Sequence, residues 1–106
     1  RPALGISIAD LNSLSSSATS KLDLPDEVKS GVVVGSVQKG MPADGKLQEY
    51  DVITEIDGKK ISSKTDIQTN LYSHSIGDTI KVTFYRGKDK KTVDLKLTKS
   101  TEDISD

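Results

Sequence analysis

The segment Ala3-Leu4-Gly5-Ile6-Ser7-Ile8, close to the N-terminus, decides our interpretation of the chain. Its apolar residues Leu4, Ile6 and Ile8 occupy every second position, which is the period of a half-buried β-strand. Gly5 allows backbone angles and a close approach that a side chain would block. Backbone N–H groups turned outward at such a bend form a small anion-binding nest. A loop and edge strand of this kind would be suited to hold a peptide carboxylate and to pair with the peptide backbone.

The composition limits the kinds of function open to the chain. Its 106 residues correspond to one domain, and 33% hydrophobic with 29% charged residues predicts a small core and a well-solvated surface. The net charge of −1 lacks the basic excess of a nucleic-acid-binding protein. Without cysteine, disulfides and thiolate zinc sites are impossible. The chain begins Arg-Pro rather than Met and shows no signal peptide, so we expect it to be part of a longer protein.

Strand patterns dominate the rest of the chain. Besides the first segment, strand-like composition or alternation occurs at 31–37, 51–56, 79–85 and 92–98. Asp57-Gly58 predicts a hairpin turn, because this pair readily adopts the positive φ angles that a tight turn requires. Ser63 is suited to cap a helix over 64–73. We predict an α+β fold: a small five- to six-stranded antiparallel barrel or sandwich, capped by one main helix and one or two short helices.

The domain organisation follows from the same patterns. Residues 1–98 are predicted to form a single domain, and the Ser-rich segment 10–30 is predicted to be a long loop insertion with a helical turn. The polar, acidic residues 99–106 are predicted to form a flexible tail.

No catalytic arrangement is evident in the sequence. His74 is the only histidine, and no serine lies in a nucleophile elbow or beside a Gly-rich oxyanion motif. We interpret His74 as a histidine at a helix end, where it interacts with the helix dipole. We predict no catalytic residues and no cofactor.

The charged residues are interpreted as surface groups. Asp51, Glu55 and Asp57 share one strand parity, so we expect them on a solvated sheet face rather than in an acid–base pair, and Asp66 gives no better pairing. No loop has the ligand spacing of a calcium site, and we predict no metal site. The lysines at the last hairpin are interpreted as protection of an exposed edge strand; they are Lys88, Lys90, Lys91 and Lys96.

A binding groove remains as the feature that carries function. The strand beginning at Ile6 and the helix at 64–73 would form its walls. The residues lining an apolar pocket would be Leu4, Ile6, Ile8 and Leu71. The same residues could equally be ordinary core, and the periodicity alone leaves both interpretations open.

The order of several motifs resembles PDZ domains, specifically those attached to HtrA/DegP-type serine proteases of Gram-positive bacteria such as streptococci. The matching segments are Ala3-Leu4-Gly5-Ile6, Gly31-Val32-Val33-Val34 with Val37, Met41-Pro42-Ala43, Leu47 with 51–61, Asp66-Ile67 with Leu71, Gly77-Asp78 and 84–88. The resemblance covers residues 3–98, and having the binding loop first and a strand last is similar to the permuted bacterial arrangement. Tyr50 and Lys46 depart from the family pattern, which has glycine at both positions.

The resemblance implies a set of binding residues. The amides of Leu4, Gly5 and Ile6 would bind the ligand carboxylate. The residues implied in strand pairing and in the groove are Ile6, Ser7, Ile8, Lys64, Thr65, Gln68 and Leu71. Because Lys64 or Thr65 stands where some members carry a histidine that selects Ser/Thr ligands, an apolar preference is expected.

The resemblance also implies a biological setting. The chain would not be an enzyme by itself, but the peptide-binding module of a serine endopeptidase acting in protein quality control and the stress response. Its partners would be hydrophobic C-termini or unfolded substrates and the protease domain of a trimer-like parent. The parent would be extracytoplasmic and anchored at the membrane or cell surface. The alternative is an inter-domain regulatory module whose groove is occluded by its own loop at 10–30; a free-standing enzyme is a third hypothesis that one histidine makes improbable.

Overall fold

The fold is defined by a computed structural model, which describes residues 2–98. The tail predicted at 99–106 lies outside the described residues. The strands are β1 Ile6–Asp10, β2 Val32–Val37, β3 Val52–Ile56, β4 Lys59–Lys60, β5 Thr79–Arg86 and β6 Asp89–Lys96. The helices are α1 Ser16–Ser20 and α2 Lys64–Tyr72, with a 3-10 turn at Leu11–Ser13. The α+β class, the six strands and the single main helix are as predicted.

All six strands belong to one antiparallel sheet. Its order is β1-β2-β3-β5-β6, and β4 pairs with β3 beside this path. The sheet is open, with β1 and β6 at its two ends, so the strands do not close into the barrel that the prediction allowed. At one end, β6 carries exposed lysines at positions 90, 91 and 96, whereas β1 at the other end carries none.

The hairpin between β3 and β4 forms where the sequence predicts it. Asp57 has φ 52° and Gly58 has φ 79°, the left-handed conformations that a tight two-residue turn requires. The side chain of Asp57 then reaches across to β5, where its Oδ1 accepts from the amide of Lys81 at 2.8 Å. This turn is therefore fixed to the neighbouring strand at both backbone and side chain.

The main core lies between the sheet and α2. Ile53, Ile56, Val82 and Phe84 are fully or almost fully buried on this side. From α2, the core receives Ile67, one turn before the last buried residue of the helix. Burial of each such side chain contributes roughly 1.5–3 kcal/mol relative to exposure, so this layer supplies most of the driving force for folding.

A second, smaller core lies on the opposite face of β2 and β3. Leu11 and Leu22, from the Ser-rich segment, pack there against Val33 and Val52. Three further side chains of the same segment contribute at its margin: Leu14, Leu24 and Val28. The segment predicted as a loop insertion is therefore a strap, which we call the back strap (residues 11–30), held against the sheet by its leucines.

The expectation that Asp51 faces solvent is wrong. Asp51 is fully buried immediately before β3, and its two carboxylate oxygens accept from Arg86 Nε and Nη2, each at 2.9 Å. Oδ2 also accepts from the amide of Gln48 at 2.9 Å. The charge-assisted bonds to Asp51 raise the pKa of Arg86 above its ordinary value. The partner lies 35 residues away, so no local pattern reveals it.

Candidate functional site

The outer edge of β1 has unpaired backbone groups. On its inner side β1 pairs with β2, with Ile8 opposite Val34. Val34 directs both backbone groups the other way: its N–H donates to Asp51 and its carbonyl accepts from Tyr50, each at 2.8 Å. Opposite residues in an antiparallel pair exchange both hydrogen bonds or neither. Ile8 therefore also turns its N–H and carbonyl away from β2, toward the free edge.

The same alternation applies to the residues two positions away. Asp10 lies opposite Val32. The next pair along, Leu11 and Gly31, is hydrogen-bonded, with Leu11 N donating to Gly31 O at 2.9 Å. Because bonded and non-bonded pairs alternate, Asp10 and Val32 do not bond to each other. At the other end of β1, Gln38 N donates to Gly5 O at 2.7 Å. The next residue, Ile6, therefore also turns its N–H and carbonyl toward the free edge. The free edge thus presents the backbone groups of residues 6, 8 and 10.

Ser7 interrupts the ladder between β1 and β2. The register shifts between Ile6 and Ile8, and the amide of Ser36 donates to Ser7 Oγ at 2.8 Å instead of to a backbone carbonyl. A Cβ on Gly35 would lie 2.7 Å from the same hydroxyl, so the bulge needs a glycine beside it. The side chain of Ser7, one of the residues implied in ligand pairing, is directed at β2, where it holds a β-bulge.

The loop before β1 is formed around Gly5. Gly5 has φ 77°, and an added Cβ would overlap the Cβ and Cγ of Met41. The carbonyls of Leu4 and Gly5 are bound from behind, Leu4 O by the amide of Ala43 at 3.1 Å and Gly5 O by Gln38. Within residues 2–98, no hydrogen-bond acceptor is recorded for the amides of Leu4 and Gly5. Together with the amide of Ile6, they form a row of donors at the mouth of the groove.

A cavity of about 200 Å³ lies between this loop, β1 and α2. The helix contributes Ile67 and Leu71, whose spacing of four residues places both on its inward face. The complete lining consists of Pro2, Ala3, Leu4, Gly5, Ile6, Ile8, Ile67, Gln68, Leu71 and Tyr72. It is mostly apolar, as a pocket for a hydrophobic side chain must be.

The lining includes six of the nine predicted site residues and omits three. Lys64 and Thr65 are exposed in the first turn of α2, and neither lines the cavity, nor does Ser7. Sequence reasoning did not assign the remaining four lining residues to the site: Pro2, Ala3, Ile67 and Tyr72. Ile67 could have been found from its spacing to Leu71, because residues four positions apart lie on the same face of a helix.

The far end of the groove is closed by a contact between β1 and α2. Asp10 Oδ1 accepts from the amide of Lys64 at 2.7 Å, which satisfies a free donor at the helix N-terminus. Ser63 Oγ accepts from the amide of Asp66 at 3.3 Å, as predicted for the N-cap. The bond between Asp10 and Lys64 therefore links the two groove walls at the end where Lys64 and Thr65 lie.

His74 lies just beyond α2, between two carboxylates. Its Nδ1 is 3.3 Å from Asp78 Oδ2, and its Nε2 is 3.7 Å from Asp57 Oδ2. The hydrogen bond from the Ser75 amide, and then that of His74, lower the pKa of Asp78. No serine hydroxyl among residues 2–98 is recorded bonding to His74, so the described chain contains no Ser–His–Asp triad.

The described residues contain no group of side chains suited to a metal ion and no helix able to span a membrane. Between residues 2 and 98, no three His, Asp or Glu side chains are grouped so that they could hold a metal ion. The helices in this range are also too short or too polar to cross a bilayer.

The arrangement of loop, free strand edge and helix agrees with a family comparison. The family model described as "PDZ domain" matches residues 2–97. The chain belongs to the PDZ domain family. The motif resemblance in the sequence is thereby confirmed, and the chain is a module without a protease triad in its described part.

The relatives of this PDZ domain are HtrA-type proteases. It is 51% identical over 105 residues to "Serine protease Do-like HtrA" of Lactococcus lactis subsp. lactis, covering 98% of this chain and 26% of the relative. Against the protein of the same name from Lactobacillus helveticus, the identity is 36%, covering 92% of this chain and 23% of the relative. The chain thus spans about a quarter of the length of these relatives. It fits the PDZ domain of a Gram-positive HtrA protein.

A solved structure extends the comparison to the fold. The "HtrA-type protease AlgW with decapeptide" superimposes with a TM-score of 0.75 at 25% identity, covering 91% of this chain and 28% of that one. This similarity, over nine-tenths of the chain, supports the fold described above.

Proposed function

We propose that this PDZ domain captures the hydrophobic C-terminus of a peptide by adding it as a strand at the free edge of β1. The observation that carries the proposal is the unpaired edge at residues 6, 8 and 10, next to the apolar cavity bounded by α2. A peptide running antiparallel to β1 would place its carboxylate at the amides of Leu4, Gly5 and Ile6. Its terminal side chain would enter the cavity between Leu4 and Leu71.

The expected affinity is moderate. Burial of a Val- or Leu-sized side chain is worth roughly 1.5–3 kcal/mol, and each strand hydrogen bond adds about 0.5–1.5 kcal/mol. Fixing a flexible peptide has an entropic cost that offsets much of this gain. A dissociation constant on the order of micromolar is therefore expected. The structure of AlgW is of that protease with a decapeptide, which supports a peptide as the kind of ligand.

The decisive experiment compares a hexapeptide ending in valine with its C-terminally amidated form, by titration into the ¹⁵N-labelled 106-residue chain. The free acid should bind at least tenfold more tightly, since amidation removes the charge that the three amides receive. Amides of Ile6 and Ile8 should gain protection from hydrogen exchange, because the ligand bonds to them. Equal binding of both peptides, or shifts that avoid residues 4–8, would contradict the proposal.

In the longer protein, we propose that this capture regulates proteolysis. The HtrA relatives are named as serine proteases, and the chain matches only part of each. The parent would be a trimer-like serine endopeptidase, anchored at the extracytoplasmic face of the membrane, whose PDZ domain collects unfolded substrates during stress. The measurement is peptide-stimulated cleavage of an unfolded substrate by the full-length protein, with the same protein lacking residues 2–98 as the control.

The alternative of a groove occluded by its own loop is not favoured by the contacts. The back strap packs through Leu11 and Leu22 on the opposite face of the sheet. Of the described residues that line the groove cavity, none comes from 11–30. Deleting most of the strap should therefore not increase peptide affinity.

A further inference from the structure

A second cavity, larger than the groove cavity, lies beneath the back strap. Its volume is about 340 Å³, within the range of roughly 300–1,000 Å³ that small-molecule sites occupy. From the sheet it is lined mainly by small and aliphatic residues, and from the strap by Leu14, Ala18, Lys21 and Leu22. The sheet side consists of Ser7, Ile8, Ala9, Val33, Val34 and Gly35, and Tyr50 completes the lining. We call this the back cavity.

Tyr50 is held at the back cavity in an unfavourable backbone conformation. Its φ is 76°, in the left-handed region that favours glycine or asparagine, and a bulky aromatic residue there is strained. Tyr50 is also 57% exposed, so burial does not offset the strain. Backbone strain that persists without a packing reason is typical of a functional position.

The polar groups of the back cavity are few. The hydroxyl of Ser7 is already bonded to Ser36, at 2.8 Å to its amide. Lys21 is the one charged residue in the lining, and no ion-pair partner is recorded for it within residues 2–98. The back cavity therefore combines an apolar interior with a single cation at its margin.

From these observations we infer that the back cavity binds a free, single-chain aliphatic carboxylate. Its alkyl chain would lie beneath Ala18 and against Tyr50, and its carboxylate would meet the ammonium group of Lys21. A peptide fits less well, because its amides would enter a mostly apolar interior and would lose their hydrogen bonds to water. An alkyl chain brings no polar group into the interior.

The test is titration of monomeric decanoate, below its micelle concentration, into the ¹⁵N-labelled 106-residue chain. Saturable shifts at Ala18, Lys21, Gly35 and Tyr50 are expected. These four residues line only the back cavity and are therefore the reporters, whereas Ile8 lines both cavities. A valine-ended peptide bound in the groove should leave these shifts in place, so failure of peptide binding and failure of decanoate binding remain distinguishable.

Three variants and one control separate the contributions to binding. Ala18→Phe should fill the back cavity and reduce the affinity at least tenfold. Lys21→Ala should weaken decanoate roughly two- to fivefold, the range of an exposed ion pair, and leave decanol unaffected. Lys90→Ala removes an exposed lysine on β6 and is the matched control. It should change the affinity for neither decanoate nor decanol. Tyr50→Asn should weaken binding without lowering the urea midpoint, because asparagine tolerates the left-handed conformation.

Several results would overturn the inference. They are shifts confined to groove residues such as Gln68 and Leu71, equal affinity of decanoate and decanol, and unchanged affinity in the Ala18→Phe variant while it remains folded. Binding seen only with micelles or phospholipid vesicles would also overturn it, because the proposed ligand is a free monomer.

Discussion

At the scale of single residues, Gly5 has two separate reasons to be glycine. Its φ of 77° is in the left-handed region, and the space where a Cβ would stand is taken by Met41. Gly40 has a similar φ of 84°, but nothing lies within 4 Å of its would-be Cβ. The two glycines therefore separate the cost of conformation from the cost of a steric overlap.

We predict that Gly5→Ala destabilises the domain by about 3 kcal/mol, since left-handed strain and overpacking each contribute on the order of 1–3 kcal/mol. Gly40→Ala, the matched control, should cost about 1 kcal/mol from the conformation alone. Urea unfolding measures both values, and peptide titration should show lost affinity only for Gly5→Ala. Equal destabilisation by the two substitutions would show that the contact with Met41 does not matter.

Two ion pairs show how burial changes the importance of a charge. Asp51 is fully buried and bound by Arg86 through two hydrogen bonds. The pair between Lys88 and Asp23, 3.3 Å apart, has side chains that are 63% and 73% exposed. Water can replace the partner of an exposed carboxylate but reaches a buried one poorly.

Arg86→Met should therefore lower the free energy of unfolding by about 3 kcal/mol, the low end for breaking a buried pair, because Arg86 is itself 35% exposed. Lys88→Ala should change it by less than about 1 kcal/mol. Chemical denaturation of the two variants under identical conditions checks the contrast. A loss below about 1 kcal/mol for Arg86→Met would mean that water enters and solvates Asp51.

At the scale of elements, the segment following α2 is fixed by a carboxylate. Asp78 accepts from the amide of Ser75 at 2.9 Å and lies beside His74, which itself lies near Asp57 in the turn between β3 and β4. These contacts lower the pKa of Asp78 below its ordinary value of 3.8. The ionised form thus binds the proton more weakly in the folded chain than in the unfolded chain.

The sign of the pH dependence follows from this direction. A depressed pKa contributes stability that is fully present above the unfolded value and is lost as pH falls through the folded one. We predict that Asp78→Asn is less stable than the wild type at pH 5–7, and that the difference shrinks steadily below pH 3.8. Urea midpoints measured from pH 7 to pH 2.5 test this. A difference that persists unchanged at pH 2.5 would contradict the role of the charge.

Elements with local causes were predictable from the sequence. Asp57-Gly58 specifies the hairpin and Ser63 the start of α2, because turn and cap preferences reside in adjacent residues. Long-range partners were not predictable. Asp51 follows the strand alternation that predicts a solvated face, yet its burial depends on Arg86, 35 residues later. The contact of Lys64 was not predictable either, because its amide donates to Asp10, which lies across the groove and far away in the sequence.

The candidate site was predictable in part for the same reason. Gly5 and its apolar neighbours form a contiguous motif, so the loop and the free edge follow from the sequence. The helix wall depends on the rotation of α2 against β1, which brings Ile67 and Tyr72 to the cavity and leaves Thr65 outside it. No periodicity within the helix alone fixes that rotation, since it depends on packing between elements.

At the scale of the whole molecule, the domain has two cores of different strength. The main core includes Ile53 and Phe84 between the sheet and α2, whereas the back strap is held by a few leucines such as Leu22. No residue of α1 is buried. Segments with few buried contacts open locally without unfolding the rest, so the strap should open before the sheet does.

We predict that Leu22→Ala speeds hydrogen exchange at the amides of Ala18 and Thr19 while changing peptide affinity less than twofold. The removed side chain belongs to the back strap, which contributes nothing to the groove lining among the described residues. Leu71→Ala is the matched control: it should cost about 2–4 kcal/mol and also weaken peptide binding, because Leu71 serves both core and groove. A large affinity change in Leu22→Ala would revive the occluded-groove alternative.

The two ends of the sheet also determine how the domain behaves in concentrated solution. Lysines on β6 repel an approaching strand, whereas β1 offers an uncharged, hydrogen-bonding edge from Ile6 to Ala9. An edge that accepts a foreign strand cannot distinguish it fully from an unfolded copy of the same chain. We therefore expect unfolded copies to associate with this edge at high concentration, and a saturating peptide ligand should act as a solubilising agent during purification and storage.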